Sequence, residues 1–278
     1  MRHSEGSFST AEGLTIYHQS WLPAVEPRAV VMLLHGLGEH SGRYAHVAEA
    51  LTGAGYGVHA LDLRGHGKSH GKRAYVRSYA EYMSDIQQFR ELVEAEHPGL
   101  ALVVLGHSMG GNLALGHVLD HPNGVRGLAL TGPALVPGKS LSPLKLRLAK
   151  LLGKIAPGVR PEALSADAIS RDPAVVKAYR DDPLVYTGKI SAGVAAALLN
   201  SMDGFPGRHA ELVLPLLVMH GTDDKLTEIA GTRALESGAV NATVTSHYYD
   251  GLYHEVFNEP EQQKVIADLI AWLDVVTS

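Results

Sequence analysis

The chain has 278 residues, 45% of them hydrophobic and 19% charged, with a formal net charge of -5. That apolar share can bury a sizeable core and excludes wholesale disorder, while the acidic balance offers no basic field for a phosphate backbone, so nucleic acid is not an expected partner. The absence of cysteine excludes disulfides, thiolate catalysis and cysteine-ligated metals.

Sixteen histidines raise the question of a metal, yet no HExxH pattern appears, because "YHEVF" lacks its second histidine. Scattered core and solvent histidines are the expectation, with no metal and no organic cofactor. The N-terminus "MRHSEGSFSTAEG" has no apolar signal core, and no apolar run reaches the roughly 18 residues of a membrane span. A cytoplasmic protein is expected, in contact with membranes at most peripherally.

In chain order, "GSFST" and "LTIYHQSW" flank "AEG" and read as a short hairpin. The rhythm then changes. "AVVMLLHG" (Ala29 to Gly36), "GVHALDL" (Gly57 to Leu63), "ALVVLGHS" (Ala101 to Ser108) and "VRGLALTG" (Val125 to Gly132) are apolar without alternation, as in parallel strands buried on both faces. Helix-like segments lie between them, each stopped by glycine or proline, and strands alternating with helices imply a parallel sheet with crossovers. After Gly132 the alternation stops. Residues 133–209 contain no convincing strand and read as a mainly helical insertion, after which "LPLLVMHG" and "TVTSHYYDG" resume the sheet and "EQQKVIADLIAWLDVV" closes the chain as an amphipathic helix. The expected organisation is one α/β core of residues 1–132 and 210–278, with residues 133–209 inserted.

Ser108 stands in "GHSMGG", a GxSxG match through Gly106 and Gly110, after a buried strand and before a helix. A serine at such a turn projects its Oγ from the sheet edge, and the helix N-terminus faces developing negative charge. The plainer reading is a glycine-rich helix cap. A hydroxyl becomes a nucleophile only beside a base that is itself held by a carboxylate. "VMHGTDDKL" offers Asp223 and Asp224 just past a strand, and "YDGLYHEVFNEP" offers His254 before the last helix, in the order serine, acid, histidine.

Together "HGLGEHSGRY", "ALDLRGHGKS", "GHSMGG", "HGTDDKL" and "GLYHEVFNEP" resemble the α/β-hydrolase superfamily, and specifically its monoacylglycerol lipases of bacterial and mycobacterial type, over almost the whole chain. The resemblance implies Ser108 as nucleophile, His254 as general base and Asp224, three residues after Gly221, as the triad acid in preference to Asp223. It implies an oxyanion hole from the backbone N–H groups of Leu37 and Met109, and a bracing role for His35, Arg64 and His66. The insertion takes the place of that family's cap. Polar contacts to the glycerol end fall to Glu39, Arg43 and Tyr179, although Glu39 and Arg43 could instead form a structural ion pair.

Within the insertion, "LSPLKLRLAKLLGKI" sets Leu141, Leu144, Leu148, Leu151, Leu152 and Ile155 on one helical stripe and Arg147, Lys150 and Lys154 opposite. Such a helix can lie on a membrane surface or pack on the core with a solvated basic face. The expected activity is hydrolysis of monoacylglycerol to glycerol and fatty acid through an acyl-enzyme. A broader carboxylesterase, a lysophospholipase and a non-catalytic lipid-binding relative are the alternatives.

Overall fold

A computed structural model describes residues 1–138, 142–160, 162–163 and 166–278. Its elements in chain order are β1 (Arg2–Ser9), β2 (Thr15–Leu22), β3 (Ala29–Leu34), α1 (Ala45–Gly53), β4 (Gly57–Leu61), α2 (Tyr79–Glu96), β5 (Ala101–His107), α3 (Met109–Asp120) and β6 (Val125–Thr131). Then come α4 (Pro143–Ile155), β7 (Glu162–Ala163), α5 (Pro173–Asp181), β8 (Lys189–Ile190), α6 (Ala192–Gly204), β9 (Leu216–Gly221), α7 (Ile229–Gly238), β10 (Val244–Tyr249) and α8 (Gln262–Val276).

Eight strands form one sheet in the order β1-β2-β4-β3-β5-β6-β9-β10. β1 and β2 pair antiparallel with each other, and β2 pairs antiparallel with β4; every other pairing in this sheet is parallel. β3, β4 and β9 are buried at every position, which is why their sequences run apolar without alternation. Ile86 and Phe89 of α2 and Leu113 and Val118 of α3 pack on one face of the sheet. Val47 and Leu51 of α1 with Leu269, Trp272 and Leu273 of α8 cover the other. The result is the expected α/β-hydrolase architecture.

β6 and β9 are sheet neighbours, yet the chain between them runs through α4, α5 and α6. This stretch does contain a strand pair, contrary to the sequence reading: Glu162 and Ala163 pair with Ile190 and Lys189. Two residues per strand are too few for a period to register. Helix α4 crosses α6 closely, because a Cβ on Gly153 would lie 2.2 Å from the Ala196 Cβ.

The orientation of α4 separates the two readings of its stripe. Leu144, Leu148, Leu151 and Ile155 are 66, 56, 53 and 70% exposed, so the apolar stripe faces outward. Leu152 is instead half-buried, Lys150 pairs with Asp203 of α6, and Leu141 lies outside the described residues. Among the described residues no helix is long and apolar enough to cross a membrane.

Candidate active site

Ser108 links the end of β5 to the start of α3 with φ 54° and ψ -117°. Only Ala74 shares a positive φ among the described non-glycine residues, and such a backbone costs on the order of 1–3 kcal/mol unless its surroundings hold it. Here they do. The Ser108 N–H donates to the Thr131 carbonyl at 3.0 Å, and the Ser108 carbonyl accepts from the N–H groups of Asn112 and Ala134, both at 3.1 Å. The flanking glycines make the turn sterically feasible: a Cβ on Gly106 would stand 2.4 Å from the Gly110 carbonyl oxygen, and one on Gly110 would stand 2.1 Å from that of Leu34. Ser108 itself is half-exposed in an otherwise buried run from Leu102 to Leu119.

The acid and the histidine meet beside this turn. Asp224 Oδ2 accepts from His254 Nδ1 at 2.7 Å, with the two side chains 1% and 5% exposed. A carboxylate only accepts, so Nδ1 carries the proton and Nε2 keeps its lone pair. Asp223, by contrast, is exposed. Asp224 Oδ1 also accepts from the Leu226 and Thr227 amides, and Oδ2 from the Thr227 hydroxyl at 2.8 Å and from His220 Nε2 at 3.1 Å. Burial opposes ionisation of Asp224, but the charge and hydrogen bond of His254 and the bonds from His220 and Thr227 outweigh it and hold the carboxyl well below its ordinary range. Burial likewise opposes charge on His254, and Asp224 overcomes it and raises the imidazole above its ordinary value. Gly132 brings the pair to the turn: its neighbour Thr131 accepts from the Ser108 amide, and a Cβ on Gly132 would lie 3.2 Å from His254 Nδ1.

The turn that holds Leu37 adjoins Ser108, since a Cβ on Gly36 would lie 3.2 Å from the Ser108 Cβ, and Met109 follows Ser108 in the chain. Met109 opens α3, where the first N–H groups of a helix have no partner within it. Leu37 lies in the turn after β3, and three contacts fix that turn. The Gly36 N–H donates to Glu39 Oε1 at 2.6 Å, the Gly38 carbonyl accepts from the Tyr186 N–H at 2.7 Å, and His35 Nδ1 donates to the Gly36 carbonyl at 2.7 Å. The tautomer of His35 follows from its other nitrogen, which accepts from the Leu63 N–H at 2.9 Å. His66 bonds the Arg64 carbonyl, and Arg64 pairs through two 2.6 Å bonds with Asp85 of α2. Of the three residues expected to brace the turn, then, His35 touches it, while Arg64 anchors α2.

Glu39 and Arg43 lie within a buried network. Glu39 is 2% exposed; its Oε1 also accepts from the Tyr44 hydroxyl at 2.7 Å and its Oε2 from Arg43 at 2.8 Å. Arg43 continues to Glu255 through bonds of 2.6 and 2.7 Å, and its guanidinium sits 4.7 Å from the Tyr179 ring centroid. Burial disfavours charge on Glu39, but Arg43, His107 and His35, with the Tyr44 hydrogen bond, lower it to about 2. Tyr179 is buried as well, and its hydroxyl lies near the Gly38 turn.

Sequence reasoning passed over Glu255, Tyr44, Thr227 and His220. Glu255 carried a usable signal in its place next to His254. His220 stands four residues before Asp224, but a strand followed by a turn gives no periodicity to announce that contact. His107, adjacent to Ser108, is pushed down to about 3 by burial and then by His254, 4.7 Å away between ring centroids. It therefore stays neutral beside His254.

The family model for serine aminopeptidase, S33, matches residues 25–261. A monoacylglycerol lipase of Mycolicibacterium smegmatis is 45% identical over 270 residues, covering 97% of this chain and 96% of that one. The monoglyceride lipase of Homo sapiens is 30% identical over 96% of this chain and 89% of its own. Among solved structures, the monoacylglycerol lipase of Paleococcus ferrophilus superposes with a TM-score of 0.84 at 32% identity, covering 99% of this chain and 100% of that one. The chain belongs to the serine aminopeptidase S33 family of α/β-hydrolases, among the monoacylglycerol lipases.

Proposed function

We propose that this chain is a serine hydrolase that cleaves monoacylglycerol to glycerol and free fatty acid through an acyl-enzyme. The observation that carries the reading is the buried Asp224–His254 pair at 2.7 Å beside the strained Ser108 turn. In the proposed sequence of steps, His254 Nε2 takes the Ser108 proton as Oγ attacks the ester carbonyl, and Asp224 stabilises the imidazolium that forms. The Leu37 and Met109 amides hold the oxyanion; a single such donor is typically worth roughly 2.7–4 kcal/mol in the transition state. His254 then protonates the departing glycerol. Water repeats the cycle on the acyl-enzyme and releases the fatty acid.

Residues 133–209 act in this reading as a cap over the site. Tyr179, stacked on Arg43 and close to the Gly38 turn, supports a role at the alcohol end. Glu39 and Arg43 serve from behind, by fixing the turn that carries the Leu37 amide. The outward stripe of Leu144, Leu148, Leu151 and Ile155, flanked by exposed Lys145, Arg147 and Lys154, supports peripheral contact with an anionic membrane from the cytoplasmic side.

A hydrolysis panel of mono-, di- and triacylglycerols beside lysophospholipids, run on wild type and Ser108→Ala, tests the proposal. Highest kcat/KM on monoacylglycerol, lost in the variant, is expected. Preference for a lysophospholipid, or turnover that survives the substitution, would overturn it.

A further inference from the structure

The histidines that the sequence reading dispersed through core and solvent are not all dispersed. His59 of β4 is fully buried, and its Nε2 lies 2.9 Å from Nε2 of His97, which follows the last turn of α2. Glu96, the residue before His97, brings Oε2 to 3.8 Å from His59 Nδ1. One nitrogen of each imidazole and a carboxylate oxygen of Glu96 all fall within 4.8 Å of one another.

Hydrogen bonding within the protein leaves this cluster incomplete. His59 Nδ1 is buried without a partner, and 3.8 Å is too long for it to donate to Glu96. Whichever tautomer His59 adopts, either a buried N–H or a buried lone pair at Nδ1 is left over. On a tetrahedral ion with bonds of about 2.0–2.1 Å, two ligand atoms stand roughly 3.3 Å apart. Nε2 of His59 and Nε2 of His97, 2.9 Å apart, stand within half an ångström of that separation. Glu96 is exposed and His97 half-exposed, so solvent reaches the mouth of the cluster while its base is dry.

We propose that His59, His97 and Glu96 form a binding site for a divalent transition-metal ion of the zinc class, with water in the open fourth position. Two imidazoles and one carboxylate are a donor set that such ions accept. The site is structural. It joins the middle of β4 to the C-terminal end of α2, on the N-terminal side of Ser108 along the parallel strands. His59 pairs with Met32, and Met32 with Val104, four residues and on the order of 13 Å before the nucleophile.

The test is titration of the tag-free, chelator-stripped full chain with ZnCl2 by calorimetry, with thermal melts alongside. Expected are a single site per chain and a melting temperature raised by roughly 5 °C at a hundredfold excess over Kd. His97→Ala, a change at a partly exposed position, should weaken binding at least tenfold, Glu96→Gln severalfold and Ser108→Ala not at all. Hydrolysis of a soluble ester at 25 °C should be the same in wild type and His97→Ala, with or without zinc. No saturable binding overturns the proposal, as does binding that His97→Ala leaves intact, since the ion would then sit on other histidines. Zinc inhibition lost only in Ser108→Ala would place the ion at the catalytic turn and equally overturn it.

Discussion

Replacing Arg43 by methionine tests whether the network behind the oxyanion turn holds that turn in place. Arg43 is 11% exposed and balances Glu39 and Glu255, whose side chains are 3% and 5% exposed, through bonds of 2.6–2.8 Å. Methionine keeps most of the volume and removes the cation, stranding two buried carboxylates. Breaking a buried pair in this way costs about 3–5 kcal/mol. At roughly 2 °C per kcal/mol for a chain of this size, the melting temperature should fall by roughly 6–10 °C. The pH dependence supplies a sign. In the wild type the lowered Glu39 contributes stability above its unfolded value near 4.3, and loses it as pH falls toward 2. Without Arg43 burial dominates and raises the folded pKa, so ionised Glu39 becomes a penalty at neutral pH. The gap between wild type and variant should therefore narrow between pH 8 and 5. Adding Glu255→Gln removes one stranded charge and should recover part of the loss. Thermal melts across pH, paired with kcat on a soluble ester, are the assay. A loss under 1 kcal/mol with unchanged kcat would refute the reasoning, because the turn would then stand without its network.

Asp224→Asn should lower kcat by about 10⁴-fold by disturbing the His254 tautomer, whereas Asp223→Asn should stay within about twofold; equal effects would undo the assignment of the acid. Since the base must be neutral and Asp224 raises His254, activity should fall as pH drops through a midpoint above 6.5. A midpoint near 5 would contradict that pairing. Leu148→Asp with Leu151→Asp should abolish cosedimentation with anionic vesicles at low salt and leave turnover of a soluble ester within about twofold. Retention of the variant on vesicles would remove α4 from the contact.

What the sequence reveals depends on how far apart the interacting residues lie. Ser108, Gly106 and Gly110 are local, and a strand, a tight turn and a helix within ten residues leave a readable mark. The Asp224–His254 contact spans 30 positions, and it was legible through the expected chain order and the element ends on which the two residues stand. Arg43 and Glu255 are 212 positions apart. Nothing periodic connects them, so an ion pair was foreseen for Arg43 with Glu39 but not with its second carboxylate. On α4 the spacing identifies an apolar stripe correctly, and a stripe says nothing about what lies across from it. Its burial depended on α6, which meets α4 through Gly153 and Ala196 on another face.

The histidines carry this argument furthest, because one residue type takes different electrical states within one molecule. His254 is lifted by Asp224, while His107, whose ring is 4.7 Å away, is driven to about 3. Both are buried, so burial alone does not distinguish them. A carboxylate at hydrogen-bond distance does: His107 Nδ1 meets only the carbonyl and hydroxyl of Thr131. His35 is lowered too, and its two bonds, one donated and one accepted, require the neutral ring. Among these three, positive charge can develop at His254 alone. A second cation at His107 would lower the basicity of His254 and weaken its pull on the Ser108 proton. Keeping that neighbour neutral is thus part of what would let His254 act as the proposed base.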